Sequence, residues 1–278
     1  MNTPTENIPP PLPGPVPVNR IRWTIHLVLL ALYPLALGLI PLLFSKGPRE
    51  TLLPNTSGAL FVGIGFELGI FGAVFGVAWL TSRANPEQLF LRWRGGFMPV
   101  LWGLLYSVGL RLGVAVILGV SVLVLTLSGV VDGEALQSLR PQTEAVVDIS
   151  ALLENPLYLL LNLTLVSFVM AGLREELWRA GVIAALLVLM PTRFRGWLGG
   201  TVAVLIAAVL FGLGHLPQGW GGVALTTLLG LGLGAIMLRH RSVWEPVLAH
   251  GFFDATTFAL LAFLARYYPD LISNVLSK

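Results

Sequence analysis

The chain has 278 residues, of which 55% are hydrophobic and only 11% are charged, and its formal net charge is +3. A soluble globular domain carries about 25% charged residues, so this composition excludes that class and favours a membrane protein. The chain has no cysteine, which excludes disulfides, thiolate metal ligands and a cysteine nucleophile. The basic residues are scattered rather than gathered in a patch, so the positive charge does not indicate nucleic-acid binding.

The chain divides into three successive regions by composition. Residues 1–19 are rich in proline and almost uncharged, which predicts a disordered, solvated tail of polyproline type. Residues 20–150 are expected to supply a first group of membrane helices. Residues 151–278 are expected to supply a second group, which contains most of the unusual polar residues.

Apolar stretches long enough to cross a bilayer recur along the chain after the tail. About 20 apolar residues suffice, because a helix rises 1.5 Å per residue and the hydrocarbon core is about 30 Å thick. The predicted spans are 23–45, 58–81, 98–130, 156–190, 198–216, 219–238 and 243–267. The third and fourth exceed a straight crossing, and the fourth could be two helices. The sequence therefore predicts an all-α, polytopic transmembrane helical bundle of seven or eight spans.

The basic residues between the spans predict the orientation in the membrane. With the tail in the cytoplasm, nine basic residues lie inside and five outside, which agrees with the positive-inside rule. Those inside are Arg20, Arg22, Arg83, Arg92, Arg94, Arg193, Arg195, Arg239 and Arg241, and those outside are Lys46, Arg49, Arg140, Arg266 and Lys278. The acidic connection 131–155 then lies outside. We expect a multi-pass integral protein of a prokaryotic cell membrane.

Several glycines occur in pairs four positions apart within the spans. These pairs are Gly65 with Gly69, Gly72 with Gly76, and Gly230 with Gly234. Such spacing places small residues on one face of a helix and lets a neighbouring backbone approach closely. We expect each pair to mediate packing inside the bundle, with homodimerisation as the alternative.

Ionisable residues inside the spans are the strongest functional signal in this sequence. Each costs roughly 2.5–3.5 kcal/mol to insert into lipid, so such residues usually line the interior of a bundle. The first group is Glu175 and Glu176, followed by Arg179. On a helix Arg179 shares a face with Glu175 and can also reach Glu176, so one arginine can hold both acids. A local ion pair at a helix end is the structural alternative.

Two histidines follow in later spans. His215 lies four positions after Phe211, and His250 lies four positions before Asp254. A lone histidine at a helix end is more often a cap, and a His–Asp pair can be a structural hydrogen bond. A desolvated pair in mid-span is costly to retain for packing alone. Together with the glutamates, these residues predict one buried polar site.

In this order, the three groups resemble the CAAX protease and bacteriocin-processing family of intramembrane glutamate peptidases, which includes the type II CAAX prenyl endopeptidases. The family pattern is a double glutamate with an arginine, then Phe-x-x-x-His, then His-x-x-x-Asn/Asp, on separate membrane helices. The matching residues are Glu175, Glu176, Phe211, His215, His250 and Asp254. The resemblance covers roughly residues 155–265. It departs at the arginine, because Arg179 stands one position before the family's place, which is Ala180 here.

The resemblance implies an intramembrane endopeptidase that hydrolyses peptide bonds with a water molecule activated by glutamate. Glu175 would be the general base, and His215 would help to hold the water. His250 and Asp254 would stabilise the oxyanion, with Asp254 either protonated or orienting His250. The implied substrates are membrane proteins or hydrophobic peptides within the lipid bilayer, prenylated or not.

Further implications and alternatives follow from the same residues. Glu176 and Arg179 would fix the position of Glu175. A glutamate, two histidines and an aspartate could also bind zinc or another divalent metal, although the His-Glu-x-x-His signature is absent. The Gly-x-Ser-x-Gly motif of serine hydrolases is absent from the sequence, which makes that class less favoured. The competing class is a non-enzymatic immunity, scaffold or carrier protein that retains the fold. We expect no cofactor, and the sequence leaves the oligomeric state open.

Two other ionisable residues lie within the earlier spans. Glu67 is in the second span and Arg111 is in the third. A pair between them across the two helices would neutralise both charges inside the bundle. We therefore predict a structural ion pair, with a role in admitting substrate as the alternative.

Overall fold

The computed structural model describes residues 19–44, 51–93, 95–142, 145–191 and 196–270. These residues form helices joined by turns, with no strand among them, as predicted. The helices are α1 (Arg20–Phe44), α2 (Ser57–Ser82), α3 (Met98–Leu127), α4 (Gly133–Ser138), α5 (Ile149–Glu154), α6 (Pro156–Leu161), a π-helix (Asn162–Glu175), α7 (Glu176–Leu189), α8 (Trp197–Gly214), a 3₁₀ turn (Leu216–Gln218), α9 (Gly219–His240) and α10 (Trp244–Tyr267). The predicted tail, except residue 19, lies outside the described residues, as do Lys46, Arg49, Arg94, Arg193, Arg195 and Lys278 of the predicted topology.

Six helices of the described part are long and apolar enough to cross a membrane. They are α2, α3, the helix Pro156–Leu189, α8, α9 with the turn before it, and α10, and they correspond to the last six predicted spans. Helix α1 has 25 residues and corresponds to the predicted span 23–45, but it is not among the six. The protein is therefore an all-helical, multi-pass membrane protein, and a total of seven or eight spans stays a prediction.

The long fourth predicted span is one uninterrupted helix rather than two. Helix α6 continues into the π-helix, and the π-helix continues into α7 at Glu176. In a π-helix each backbone N–H bonds to the carbonyl five residues earlier, and such segments occur frequently at functional sites. The hydroxyl of Ser167 follows the same spacing, because it donates to the carbonyl of Asn162 at 2.6 Å. The π-helix ends at Glu175, the first residue of the double glutamate.

Two glycines let the π-helix and α10 pack unusually close together. A Cβ atom on Gly172 would lie 2.8 Å from the carbonyl oxygen of Val247. A Cβ atom on Gly251 would lie 2.7 Å from Cε1 of Phe168. Real Cβ atoms essentially never come that near to other atoms, so only glycine permits this contact. The close approach brings the segment before the double glutamate against the helix that contains His250.

The glycine pairs behave differently in α9 and in α2. In α9, a Cβ atom on Gly234 would lie 2.8 Å from Cγ1 of Val204 in α8, and one on Gly230 would lie 3.2 Å from Cα of Ala208. In α2, a Cβ atom would meet nothing within 4 Å at Gly65, Gly69, Gly72 or Gly76. The predicted close packing is thus correct for α9 and wrong for α2.

Helices from the first and second halves of the chain share one buried core. The largest buried cluster includes apolar residues of α1, α2, α7 and α8. The indole N–H of Trp178 in α7 donates to the carbonyl of Leu30 in α1 at 2.6 Å. The guanidinium of Arg20 donates to the carbonyl of Leu189 at 2.6 Å, which places the start of α1 beside the end of α7.

The described residues of the acidic connection 131–155, which exclude 143 and 144, include the two short helices α4 and α5. The carboxylates of Asp132 and Asp148 cap α4 and α5 by accepting hydrogen bonds from the N–H groups of Ala135 and Ala151. The N–H of Gln142 donates to the carbonyl of Gln218 at 3.1 Å. The connection therefore lies against the turn that follows His215.

Candidate functional site

Glu176 belongs to a fully buried group of charged side chains. Its carboxylate pairs with the guanidinium of Arg179, and both side chains are 0% exposed. In α10, Nδ1 of His250 donates to the same carboxylate oxygen, Oε1, at 3.0 Å. The guanidinium of Arg179 also lies over the ring of Phe211, 4.4 Å from its centroid. We call Glu176, Arg179 and His250 the inner cluster.

Glu175 belongs to a second group, which is partly exposed. Nη2 of Arg174 donates to Oε1 of Glu175 at 2.6 Å, and Nη1 of Arg174 pairs with Glu67 of α2. The side chains of Arg174, Glu175 and Glu67 are 13%, 15% and 32% exposed. We call these three residues the outer cluster. The expectation that one arginine holds both glutamates is therefore wrong, because each glutamate has an arginine of its own.

The predicted ion pair between Glu67 and Arg111 is also wrong. Helix α3 packs against α10, whereas α2 packs against α1 and the π-helix, so the two side chains face different neighbours. Arg111 instead lies over the ring of Phe253, with its guanidinium carbon 4.3 Å from the centroid. Its Nη2 donates to the carbonyl of Phe253 and the hydroxyl of Thr256, each at 2.7 Å.

The second ring nitrogen of His250 faces two carboxylates. Nε2 lies 3.8 Å from Oε2 of Glu175 and 3.9 Å from Oδ2 of Asp254. Both distances exceed the 2.7–3.2 Å of a direct hydrogen bond. Because Nδ1 is engaged by Glu176, the residue that orients the imidazole ring is Glu176 and not Asp254. Nε2 therefore borders a gap between the carboxylates of Glu175 and Asp254.

His215 joins the site from the end of α8. Its Nδ1 lies 2.8 Å from the carbonyl oxygen of Phe211. A carbonyl oxygen can only accept a hydrogen bond, so Nδ1 carries the proton and Nε2 of the neutral ring is an acceptor. The ring centroid of Phe211 lies 4.5 Å from that of His215 and 6.2 Å from that of His250. His215 also lies within electrostatic range of Glu175.

The structure thus brings every predicted site residue into one neighbourhood between the π-helix, α7, α8 and α10. Those residues are Glu175, Glu176, Arg179, His215, His250 and Asp254. Sequence reasoning missed Arg174, which holds Glu175. An arginine inside an apolar span, directly before two glutamates, is the signal that could have identified it.

The geometry of the site also bears on metal binding. Among the described residues, no group of three or more His, Cys, Asp or Glu side chains is arranged to hold a metal ion. The carboxylate of Glu176, which lies nearest to His250, is already occupied by the cation of Arg179. The arrangement is suited to proton transfer and to hydrogen bonding with a developing negative charge.

Comparison with known proteins identifies the part of the chain that contains the site. Residues 156–256 match the family model described as type II CAAX prenyl endopeptidase Rce1-like. The matched segment begins at the first residue of α6 and ends two residues after Asp254, so it contains both clusters except Glu67. A search of curated proteins and a search of solved structures each found no match.

Proposed function

Because residues 156–256 match the family model described as type II CAAX prenyl endopeptidase Rce1-like, we propose that this protein is an intramembrane endopeptidase that uses a glutamate-activated water molecule. The observation that supports this most directly is the convergence of Glu175, His215 and His250 from three separate helices. The proposed substrates are membrane proteins or hydrophobic peptides that reach the site from the bilayer.

Glu175 is the proposed general base. Arg174 binds Oε1 of its carboxylate, which leaves Oε2 facing the gap beside His250. A water molecule in that gap gives a proton to Oε2 while its oxygen attacks the carbonyl carbon of the peptide bond. His215 helps to orient the water, because Nε2 of its ring is free to accept a hydrogen bond. The proton then passes from Glu175 to the leaving amine as the C–N bond breaks.

His250 and Asp254 are the proposed partners of the oxyanion. A doubly protonated imidazole can donate from Nδ1 to Glu176 and from Nε2 to the oxygen that becomes negative. Asp254 borders the same gap, and in its protonated form it supplies a second donor. Glu176 and Arg179 act as positioning residues, because they hold His250 without facing the gap.

An unbiased cleavage experiment tests this proposal without a known substrate. The full chain is reconstituted in liposomes with a solubilised membrane proteome, and newly formed amino termini are labelled and identified by mass spectrometry. Glu175→Gln removes the base without changing the shape of the side chain. Glu87→Gln is the matched control, because Glu87 is an exposed carboxylate whose ion-pair partner within the described residues is Arg92.

Wild type and Glu87→Gln should produce the same new termini, and Glu175→Gln should produce them at least about 100-fold more slowly. A zinc chelator should not change the wild-type rate. Cleavage that stops with the chelator and returns with added zinc would instead identify a metal-dependent peptidase. If folded wild-type protein yields no termini beyond those of Glu175→Gln, the non-enzymatic alternative is correct.

A further inference from the structure

A cavity lies at the end of the bundle where α7 and α9 end and α8 begins. This cavity has a volume of about 1080 Å³, which is at the upper end of small-molecule sites. It lies at the same end as Arg20, whose side chain reaches the last residue of α7. The distribution of basic residues predicts that this end is cytoplasmic. No residue of the inner or outer cluster lines this cavity.

The wall of the cavity is apolar. It is formed by the last two turns of α7, the first half of α8 and the last half of α9, with side chains that include Ala184, Leu187, Val188, Val204, Leu205 and Leu231. Ala235 of α9 also lines it and is exposed within it. An open apolar volume of this size in the membrane suits a hydrocarbon chain better than a polar solute.

The rim of the cavity has an excess of positive charge. Among the described residues, Arg92, Arg239 and Arg241 line it together with one acid, Glu87, so these four leave two net positive charges. Arg92 is paired with Glu87 at 2.7 Å. Within the described part of the chain, Arg239 and Arg241 make no ion pair or side-chain hydrogen bond. Two unpaired guanidinium groups above an apolar wall are complementary to a phosphate group with attached acyl chains.

We propose that this cavity binds an anionic glycerophospholipid of the cytoplasmic leaflet, with the phosphate at Arg239 and Arg241 and an acyl chain along the apolar wall. Basic pockets between transmembrane helices on the cytoplasmic side are suited to anionic lipid head groups. Trp197, at the entrance of α8, is 82% exposed and lines the same cavity, as an aromatic residue at the membrane interface would. This binding does not depend on the proposed peptidase activity.

The experiment measures the binding of defined lipids to the detergent-purified full chain by native mass spectrometry. The probes are palmitoyl-oleoyl phosphatidylglycerol and the zwitterionic phosphatidylcholine with the same acyl chains. Arg239→Gln/Arg241→Gln removes the two unpaired cations. Arg22→Gln/Arg83→Gln is the matched control, since it removes two charges at the same end of the bundle outside this cavity. Each double variant changes one arginine with a positive backbone φ angle, 50° for Arg241 and 55° for Arg83, so the two variants are matched in this respect as well.

Wild type should prefer phosphatidylglycerol, and the cavity variant should bind it roughly 10- to 30-fold more weakly, because each arginine near a membrane surface contributes about a fivefold factor. The control should stay within about twofold of wild type. Equal weakening in the control would show diffuse attraction and overturn the proposal. Equal wild-type binding of the two lipids would also overturn it.

A second variant tests the apolar wall without changing the charge. Ala235→Phe fills part of the cavity and should weaken phosphatidylglycerol binding by a similar factor while leaving the arginines in place. This variant decides the question if the arginine variant does not fold. Unchanged lipid binding by folded Ala235→Phe would show that the acyl chain does not enter the cavity and would overturn the proposal.

Discussion

The two halves of the double glutamate, Glu175 and Glu176, are adjacent in sequence but lie in different electrostatic surroundings. In the inner cluster, Glu176 and Arg179 are sealed from solvent and hold His250. In the outer cluster, Glu175 and Arg174 keep some exposure and are joined to α2 through Glu67. The two consecutive residues at the junction of the π-helix and α7 therefore point into different surroundings, one closed to solvent and one partly open.

This difference in exposure suits Glu176 to a positioning role and Glu175 to a role in catalysis. A buried ion pair is costly to break, because removal of one partner leaves an uncompensated charge. A partly exposed carboxylate can exchange protons with water and substrate. We therefore expect substitutions of Glu176 and Arg179 to act mainly on stability, and substitutions of the outer cluster and of His250, whose second ring nitrogen faces Glu175, to act mainly on catalysis.

The strongest test of the comparison is Arg179→Met. This change leaves Glu176 buried without its cation, so the free energy of unfolding should fall by about 3–5 kcal/mol. Reversible unfolding in mixed micelles measures the loss. The double variant Arg179→Met/Glu176→Gln should recover most of it, because no buried carboxylate then lacks a partner. A loss below about 1 kcal/mol in the single variant would show that the inner cluster does not stabilise the fold.

The second test asks whether close helix packing positions the inner cluster. Gly172→Ala places a Cβ atom 2.8 Å from the carbonyl of Val247, so the π-helix and α10 must separate. Such overpacking should cost about 1–3 kcal/mol. Gly69→Ala is the control, since a Cβ atom there meets nothing within 4 Å, and it should change stability by at most about 0.5 kcal/mol. Equal effects of the two variants would contradict the packing argument.

The smallest stability change is expected for Glu67→Gln in the outer cluster. Glu67 is about one-third exposed, so its loss should cost less than about 1 kcal/mol. Arg174 then loses its ion pair with α2 and keeps at most a neutral hydrogen bond, so Glu175 is held less firmly. On a substrate found by the cleavage experiment, kcat should fall roughly tenfold with KM unchanged. Glu67→Asp should recover part of kcat, whereas an effect on KM alone would assign Glu67 to substrate binding.

The helical membrane architecture and the presence of a buried polar cluster could be predicted from the sequence, because both depend on local patterns. Apolar runs predict spans without knowledge of their neighbours. Ionisable residues in those runs indicate the site, since lipid penalises them wherever the helices pack. The proposed roles of Glu175, His215, His250 and Asp254 stay predictions until cleavage is measured.

The pairing of side chains could not be predicted in the same way. Glu67 and Arg111 have complementary charges, but the sequence does not show that α2 and α3 pack against different helices. The glycines four positions apart in α2 place small residues on one face of that helix, but the sequence does not show whether another helix packs against that face. The assignment of Arg179 to both glutamates assumed that Glu175 needed that arginine, whereas Arg174 supplies its own contact.

The π-helix also affects how the protein fits its bilayer. Fourteen residues in an α-helix would extend roughly 21 Å, and the wider turns of a π-helix place more residues in each unit of length. The helix Pro156–Leu189 is therefore shorter along its axis than its 34 residues suggest. Less of it projects beyond the hydrocarbon, which lowers the free-energy cost of hydrophobic mismatch. A membrane thickness calculated for this span from 34 residues at the α-helical rise would therefore be too large.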